Sequence, residues 1–148
     1  GIMTIKKIGV GSDHAGVNLK NKIAEFLKEK GYEVTDYGTH STESCDYPVY
    51  AKAVAKSVAN GENERGIICC GSGIGVSIAA NKVKGVRAVL AHEPYSAMLS
   101  RLHNDANVLC LGERITGESL ALDIVETWLH SEYEGGRHQR RVDMLDAE

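Results

Sequence analysis

The sequence predicts an α/β protein built on an open, five-stranded, mostly parallel sheet with helices on both faces. Three observations predict it. Short apolar segments alternate with amphipathic ones five times along the chain. The apolar segments lack strict in–out alternation, as strands buried on both faces do. Sixteen glycines against two prolines suit many tight strand-to-helix turns rather than disorder.

Residues Lys7 to Gly11 (KIGVG) read as the first strand. Val17 to Lys30 reads as a helix: Leu19, Ile23 and Leu27 recur every four residues, and Gly31 supplies a stop. Tyr32 to Tyr37 alternates as the second strand and ends at Gly38. A Ser/Thr-rich loop follows from Thr39 to Asp46. Pro48 opens the next helix at a position where proline is tolerated. Tyr50, Val54 and Val58 mark its inner face, and Asn60-Gly61 ends it. Gly66 to Cys70 (GIICC) is the third strand, and the glycines from Gly71 to Gly75 turn it into a helix over Val76 to Val83. Val86 to Ala91 is the fourth strand. Pro94 to Asn104 is the fourth helix, with Met98 and Leu102 on one face. Asn107 to Leu111 is the fifth strand, and Gly117 to Ser131 is the fifth helix. Leu120, Ile124, Trp128 and Leu129 form its expected buried stripe. The tail from Tyr133 to Glu148 differs in kind, opening on Glu134-Gly135-Gly136 and a basic run.

The 148 residues are 43% hydrophobic and 25% charged, an ordinary globular composition. A chain of this length buries roughly 70% of its unfolded surface and suits a single domain, 1–148. Gly1 and Ile2 precede a plausible start at Met3 and read as an expression remnant. Seventeen basic against twenty acidic residues give a net charge of −3, which argues against nucleic-acid or anionic-membrane binding through bulk charge. No apolar run reaches the ~20 residues of a membrane span, and the N-terminus lacks a signal-peptide core. Cys45, Cys69, Cys70 and Cys110 show no C-x-x-C spacing. Free thiols in a reducing cytoplasm are the expectation.

Strands one, three, four and five end in chemistry-bearing residues: Asp13-His14, Cys70 with the glycine loop, His92-Glu93, and Glu113-Arg114. In a parallel sheet these ends share one edge, where ligands bind. The loop Gly71-Ser72-Gly73-Ile74-Gly75 exposes backbone N–H groups at a helix N-terminus, which favours an anion. The same glycines also suit a plain tight turn. Their spacing is not that of a dinucleotide fingerprint, although Glu93 lies where a ribose-binding acid would sit, and the loop lacks a P-loop ending.

A thiol beside a helix N-terminus and cationic groups can act as a base or nucleophile. Side chains alternate along a strand, so only one of Cys69 and Cys70 faces the site. Cys70, next to the loop, is the candidate. Asp13 is either a helix cap or an acid–base group beside His14. His103 ends a helix, where histidine often compensates the dipole. No metal-ligand spacing is present. Arg137 and Arg141, four apart, would share a helix face and could grip a phosphate. Together these residues suit proton abstraction next to a carbonyl in a small phosphorylated substrate.

Seven blocks carry a resemblance: GSDHAG (11–16), DYP (46–48), CGSGIG (70–75), SIAANK (77–82), EPYSA (93–97), HND (103–105) and EGGRH (134–138). In order and spanning nearly the whole chain, they resemble type B ribose-5-phosphate isomerases, a family that includes allose- and galactose-6-phosphate isomerases. The resemblance implies a three-layer Rossmann-like sandwich with strand order 2-1-3-5-4 and a C-terminal helical tail. It implies interconversion of ribose 5-phosphate and ribulose 5-phosphate through an enediolate, with no cofactor and no metal.

By position, the resemblance makes Cys70 the base and Ser72 an aid to proton transfer between the two oxygens. The N–H groups of Gly71, Gly73 and Gly75, with Asn104, would stabilise the oxyanion. His103 would open the furanose ring with Asp13 as partner, and Tyr47 would line the pocket. His14, Arg114, Arg137 and Arg141 would hold the phosphate, with His138 between two of them. Some members carry Thr where this chain has Ser72, which keeps the hydroxyl. Another branch has a Glu where this chain has Val76, which leaves Cys70 as the loop's base.

The resemblance also implies a homodimer or tetramer with shared sites. His103, Asn104, Arg114 and the tail arginines would then come from the chain opposite Cys70. The expected partner is a small phosphorylated sugar, with no nucleic acid and no membrane. The alternatives are a six-carbon sugar phosphate isomerase, a nucleotide-binding module, and a silent subunit or sensor.

Overall fold

The computed structural model describes residues 5–147. The expectation about Gly1 and Ile2 lies outside them. Five parallel strands, β1 (Lys7–Ser12), β2 (Glu33–Asp36), β3 (Arg65–Cys70), β4 (Ala88–Leu90) and β5 (Val108–Gly112), form one sheet of order β2-β1-β3-β5-β4. The helices between and after them are α1 (Val17–Glu29), α2 (Tyr47–Ala59), α3 (Ile74–Asn81), α4 (Pro94–Asn104) and α5 (Glu118–Leu129). A 3-10 turn, Gly136–His138, leads into the tail helix α6 (Gln139–Asp146).

Burial on both faces makes this a three-layer sandwich. Ile8, Val10, Ile67, Cys69, Leu109 and Leu111 pack against Leu19, Ile23 and Leu27 of α1 and Ile124, Val125 and Trp128 of α5. On the other face Ile68, Cys70, Val108 and Cys110 meet Ala51, Val54 and Ala55 of α2 and Val76, Ala79 and Ala80 of α3. The adjacent Cys69 and Cys70 thus serve opposite cores, as strand alternation requires.

Right-handed crossovers explain the layering. The chain leaves β1 toward β2 in one direction and leaves β3 toward β4 in the other. The β1/β3 boundary is therefore the topological switch point, where the carboxyl ends of the strands open a crevice.

Some local expectations change. Leu120 is 41% exposed and leaves the α5 stripe to Ala121, Ile124, Val125, Trp128 and Leu129. On α4 the buried face is Ala97, Ser100 and Arg101, with Met98 and Leu102 only half-buried. The fourth strand shrinks to Ala88–Leu90 because it is an edge strand, paired only with β5. Lys20, on an otherwise amphipathic helix, is fully buried. Its ammonium donates to Asp36 Oδ1 and Oδ2 at 2.9 and 2.8 Å and to the Thr39 carbonyl at 2.6 Å.

Candidate active site

The strand ends converge at the switch point. The Asp13 N–H donates to the Cys69 carbonyl at 3.3 Å. The N–H groups of Glu113 and Arg114 donate to the carbonyls of Cys70 and Gly71 at 2.9 and 3.0 Å. Gly16 and Gly112 are glycines because backbone crosses backbone here. A Cβ on Gly16 would lie 2.5 Å from the Cys69 carbonyl carbon, and one on Gly112 would lie 2.5 Å from that of Ser72.

The Cys70 thiol sits at the centre, 6% exposed. Its Sγ accepts the Gly73 N–H at 3.1 Å, and Gly73 is the left-handed residue (φ 80°) that starts α3. The sulfur is thus held against a helix N-terminus. Cys69 and Cys110 differ. Burial, the larger cause, and neighbouring thiols push both well above the ordinary thiol range, so both stay protonated and inert. Ser72 Oγ accepts the Ile74 N–H at 3.2 Å. The Tyr47 ring covers Gly75, with Cε1 2.6 Å from where a Cβ would stand. The Arg114 guanidinium covers Gly71 in the same way, at 3.0 Å.

Asp13 Oδ1 accepts the N–H groups of Ala15 and Gly16 at 2.9 and 3.1 Å. These bonds close the turn ahead of α1, whose N-cap is Gly16 with no side-chain cap, so the expectation that Asp13 caps the helix does not hold. His14 Nδ1 accepts the Cys45 N–H at 3.2 Å. In the neutral ring this puts the proton on Nε2, which becomes a donor. Cys45, for which the sequence offered only a free thiol, thus orients His14 through its backbone, which no side-chain pattern could reveal. Glu93 accepts from the N–H and hydroxyl of Ser96 and caps α4. That hydrogen bonding holds its carboxyl below the usual range.

The remaining predicted residues stand elsewhere. A crossover helix runs antiparallel to its strands, so α4 begins at the carboxyl edge and ends at the opposite edge. His103 and Asn104 close it there, and the tail docks beside them through Glu134 N–H to the Leu102 carbonyl at 3.1 Å. The strands are about 17 Å long for five residues, so within one chain His103 and Asn104 do not reach Cys70. Arg137 and Arg141 are exposed on the same tail, and Arg141 Nη1 donates to the Arg137 carbonyl at 3.2 Å. Arg114, expected with this group, instead lies on its own chain's Gly71, because its backbone follows β5 out of the carboxyl edge.

His103 and His138 stack with centroids 4.4 Å apart and planes 21° apart. Glu134 Oε1 is 3.2 Å from His138 Nε2 and 3.7 Å from His103 Nε2. These three donor atoms lie within 4.8 Å of one another. Nearly parallel imidazoles cannot both aim an in-plane lone pair at one ion, so a metal here would require one ring to turn. Glu134 is the residue for which sequence reasoning found no role, although it stands in the EGGRH block.

Such an arrangement defines the class: an open parallel α/β sheet whose switch point carries a thiol, a glycine loop and a buried carboxylate. Residues 8–145 match the Ribose/Galactose Isomerase family. The chain is 56% identical to ribose-5-phosphate isomerase B of Escherichia coli over 97% of its length and 96% of that protein. It superposes on ribose-5-phosphate isomerase B of Clostridium thermocellum with a TM-score of 0.94 and 58% identity, covering 95% of each chain. D-erythrulose-4-phosphate isomerase of Pectobacterium atrosepticum is 43% identical, over 93% of this chain and 91% of that one. The chain belongs to the ribose/galactose isomerase family.

Proposed function

We propose that the chain interconverts ribose 5-phosphate and ribulose 5-phosphate through an enediolate, with Cys70 as the base and no metal. As a family member it is an aldose–ketose isomerase. The substrate, the base and the assembly are our proposals. The observation that carries the mechanism is the Cys70 Sγ accepting the Gly73 N–H at the head of α3, among loop N–H groups that can receive an oxyanion.

Ring opening comes first. The C1–O4 bond breaks and the C1 carbonyl forms. His103 delivers a proton to O4, and Asp13 accepts the one leaving O1. Oδ2 is the Asp13 oxygen for this step, since both backbone bonds go to Oδ1. The Cys70 thiolate then takes the C2 proton, and the electron pair moves onto O1. Loop N–H groups and Asn104 stabilise that charge. Ser72 passes a proton from O2 to O1, and the thiol returns its proton to C1. His14, Arg114, Arg137 and Arg141 hold the phosphate, and Tyr47 walls the sugar.

Topology supports a site shared between two copies. Cys70, Ser72, Asp13, His14, Tyr47 and Arg114 cluster at one edge of the sheet, and His103, Asn104, Arg137 and Arg141 at the other. A homodimer or tetramer that brings opposite edges together completes the set. No helix among the described residues is long and apolar enough to cross a membrane, and we place the enzyme in the cytoplasm.

The test is conversion of ribose 5-phosphate to the ketose with EDTA present, for the parent and Cys70→Ala. Turnover by the parent alone is expected. Equal turnover by both removes Cys70 as the base, and activity that EDTA abolishes and added metal restores overturns the metal-free reading. An inactive parent directs the assay to galactose 6-phosphate and allose 6-phosphate. The nucleotide-binding alternative loses its motivating acid, since Glu93 caps α4.

A further inference from the structure

We propose that Glu134 is a positioning residue for His103, holding it through His138 as one stacked imidazole pair. The proposal rests on the reading of His103 as the ring-opening group. Three features build the device. The Glu134 N–H docks on the Leu102 carbonyl at 3.1 Å, one residue before His103. Gly135 and Gly136 follow with φ of 65° and 55°, a left-handed pair that only glycine adopts readily. This turn brings His138 back over Glu134, four residues earlier, and the His138 N–H closes it on the Gly135 carbonyl at 3.0 Å.

The carboxylate then acts twice. At 3.2 Å from His138 Nε2 it fixes that buried ring by a hydrogen bond. It also stands 3.7 Å from His103 Nε2, and the His138 face 4.4 Å away sets the plane of His103. His103 is the half-exposed last residue but one of α4. The stack and the carboxylate hold one rotamer of this partly exposed ring, and a proton donor that swings loses its alignment with the ring oxygen.

The test uses Glu134→Gln, Glu134→Asp and His103→Asn on the full chain, with ribose 5-phosphate kinetics and imidazole 15N NMR. Glu134→Gln is expected to lower kcat about 10- to 100-fold, the size of a lost charge-assisted hydrogen bond. KM should stay within about twofold, since the substrate-binding groups are untouched. The His103 ring signals should shift while the backbone amide spectrum is kept, and Glu134→Asp should recover part of kcat.

An unchanged kcat, or a raised KM with kcat unchanged, overturns the proposal. So does a loss in Glu134→Gln without movement of the His103 signals. If His103→Asn is inactive while Glu134→Gln is normal, Glu134 alone loses its role. If His103→Asn keeps parental kcat, the ring-opening reading falls and takes the proposal with it.

Discussion

Replacing Lys20 by Met should expose how much of the site depends on one buried charge. The methionine keeps the length of the stem and removes the ammonium. Its side chain is fully buried, whereas that of Asp36 is 27% exposed. Breaking a buried pair costs about 3–5 kcal/mol. Asp36 keeps water access and the Gly38 N–H at 2.8 Å, so the lower end applies, about 3 kcal/mol. With a urea slope of about 2 kcal/mol/M, the midpoint should fall by about 1.5 M.

The loop that Lys20 ties down also carries Cys45, whose N–H orients His14, so KM for the sugar phosphate should rise as well. Lys22→Met is the control. Its partner Glu118 is 3.9 Å away and both side chains are more than half exposed, so its loss should shift stability by less than about 0.5 kcal/mol. Urea denaturation at fixed protein concentration reads both variants. A drop of less than about 0.3 M in Lys20→Met would refute the reasoning.

Three further outcomes are expected. Gly16→Ala places a Cβ against the β3 backbone at 2.5–2.7 Å. Neither chain segment can yield cheaply, so stability should fall by about 3 kcal/mol and isomerase activity with it, as chemical denaturation and a turnover assay would report. Cys110→Ala should be less stable than the parent at pH 7, with the gap narrowing above pH 9. Unfolded thiols ionise past about 9 while burial keeps the folded Cys110 protonated. The parent's advantage is therefore full below 9 and declines by up to about 1.4 kcal/mol per pH unit above it. Paired urea titrations at pH 7 and 10 check this. Arg65 is held down to about 10 by burial first and by Arg101 next, and its Nε has no hydrogen-bond partner among the described residues. Arg65→Met should therefore raise stability by about 1 kcal/mol, and a lower thermal midpoint would contradict it.

The alternation of elements was legible because each strand is an apolar run and each helix keeps its period, Leu19-Ile23-Leu27 being the clearest case. The opposite facing of Cys69 and Cys70 followed from strand geometry alone. What escaped were features set by tertiary neighbours. Lys20 reads as a surface residue on a helix and became core because Asp36 and the Thr39 carbonyl meet it from another layer. Leu120 has the period of a buried residue but lies on the exposed side of α5. Cys45 orients His14 through a backbone N–H, a group every residue has and no motif marks.

The location of His103 carries a different lesson. A motif at a strand end belongs to the carboxyl edge of the sheet. A motif at the end of the following helix belongs to the other edge, because the crossover must return the chain to start the next parallel strand. GSDHAG and CGSGIG are motifs of the first kind and HND is of the second, while EGGRH joins HND by docking its Glu134 N–H on the Leu102 carbonyl. Any chain of this topology that needs both kinds for one reaction cannot assemble them within itself. Arg114 leaves β5 at the carboxyl edge, so it joins Cys70, whatever role its charge serves. On the shared-site proposal, the tail is the part of the chain that serves a neighbour. It closes against α4 at the far edge, where Glu134 and the arginines are exposed and His138 is buried behind them. An inactive Cys70→Ala chain mixed with an inactive His103→Asn chain should then recover activity after exchange of subunits, because one site of each mixed pair is intact. Failure of mixed oligomers to regain turnover would mean that each chain works alone.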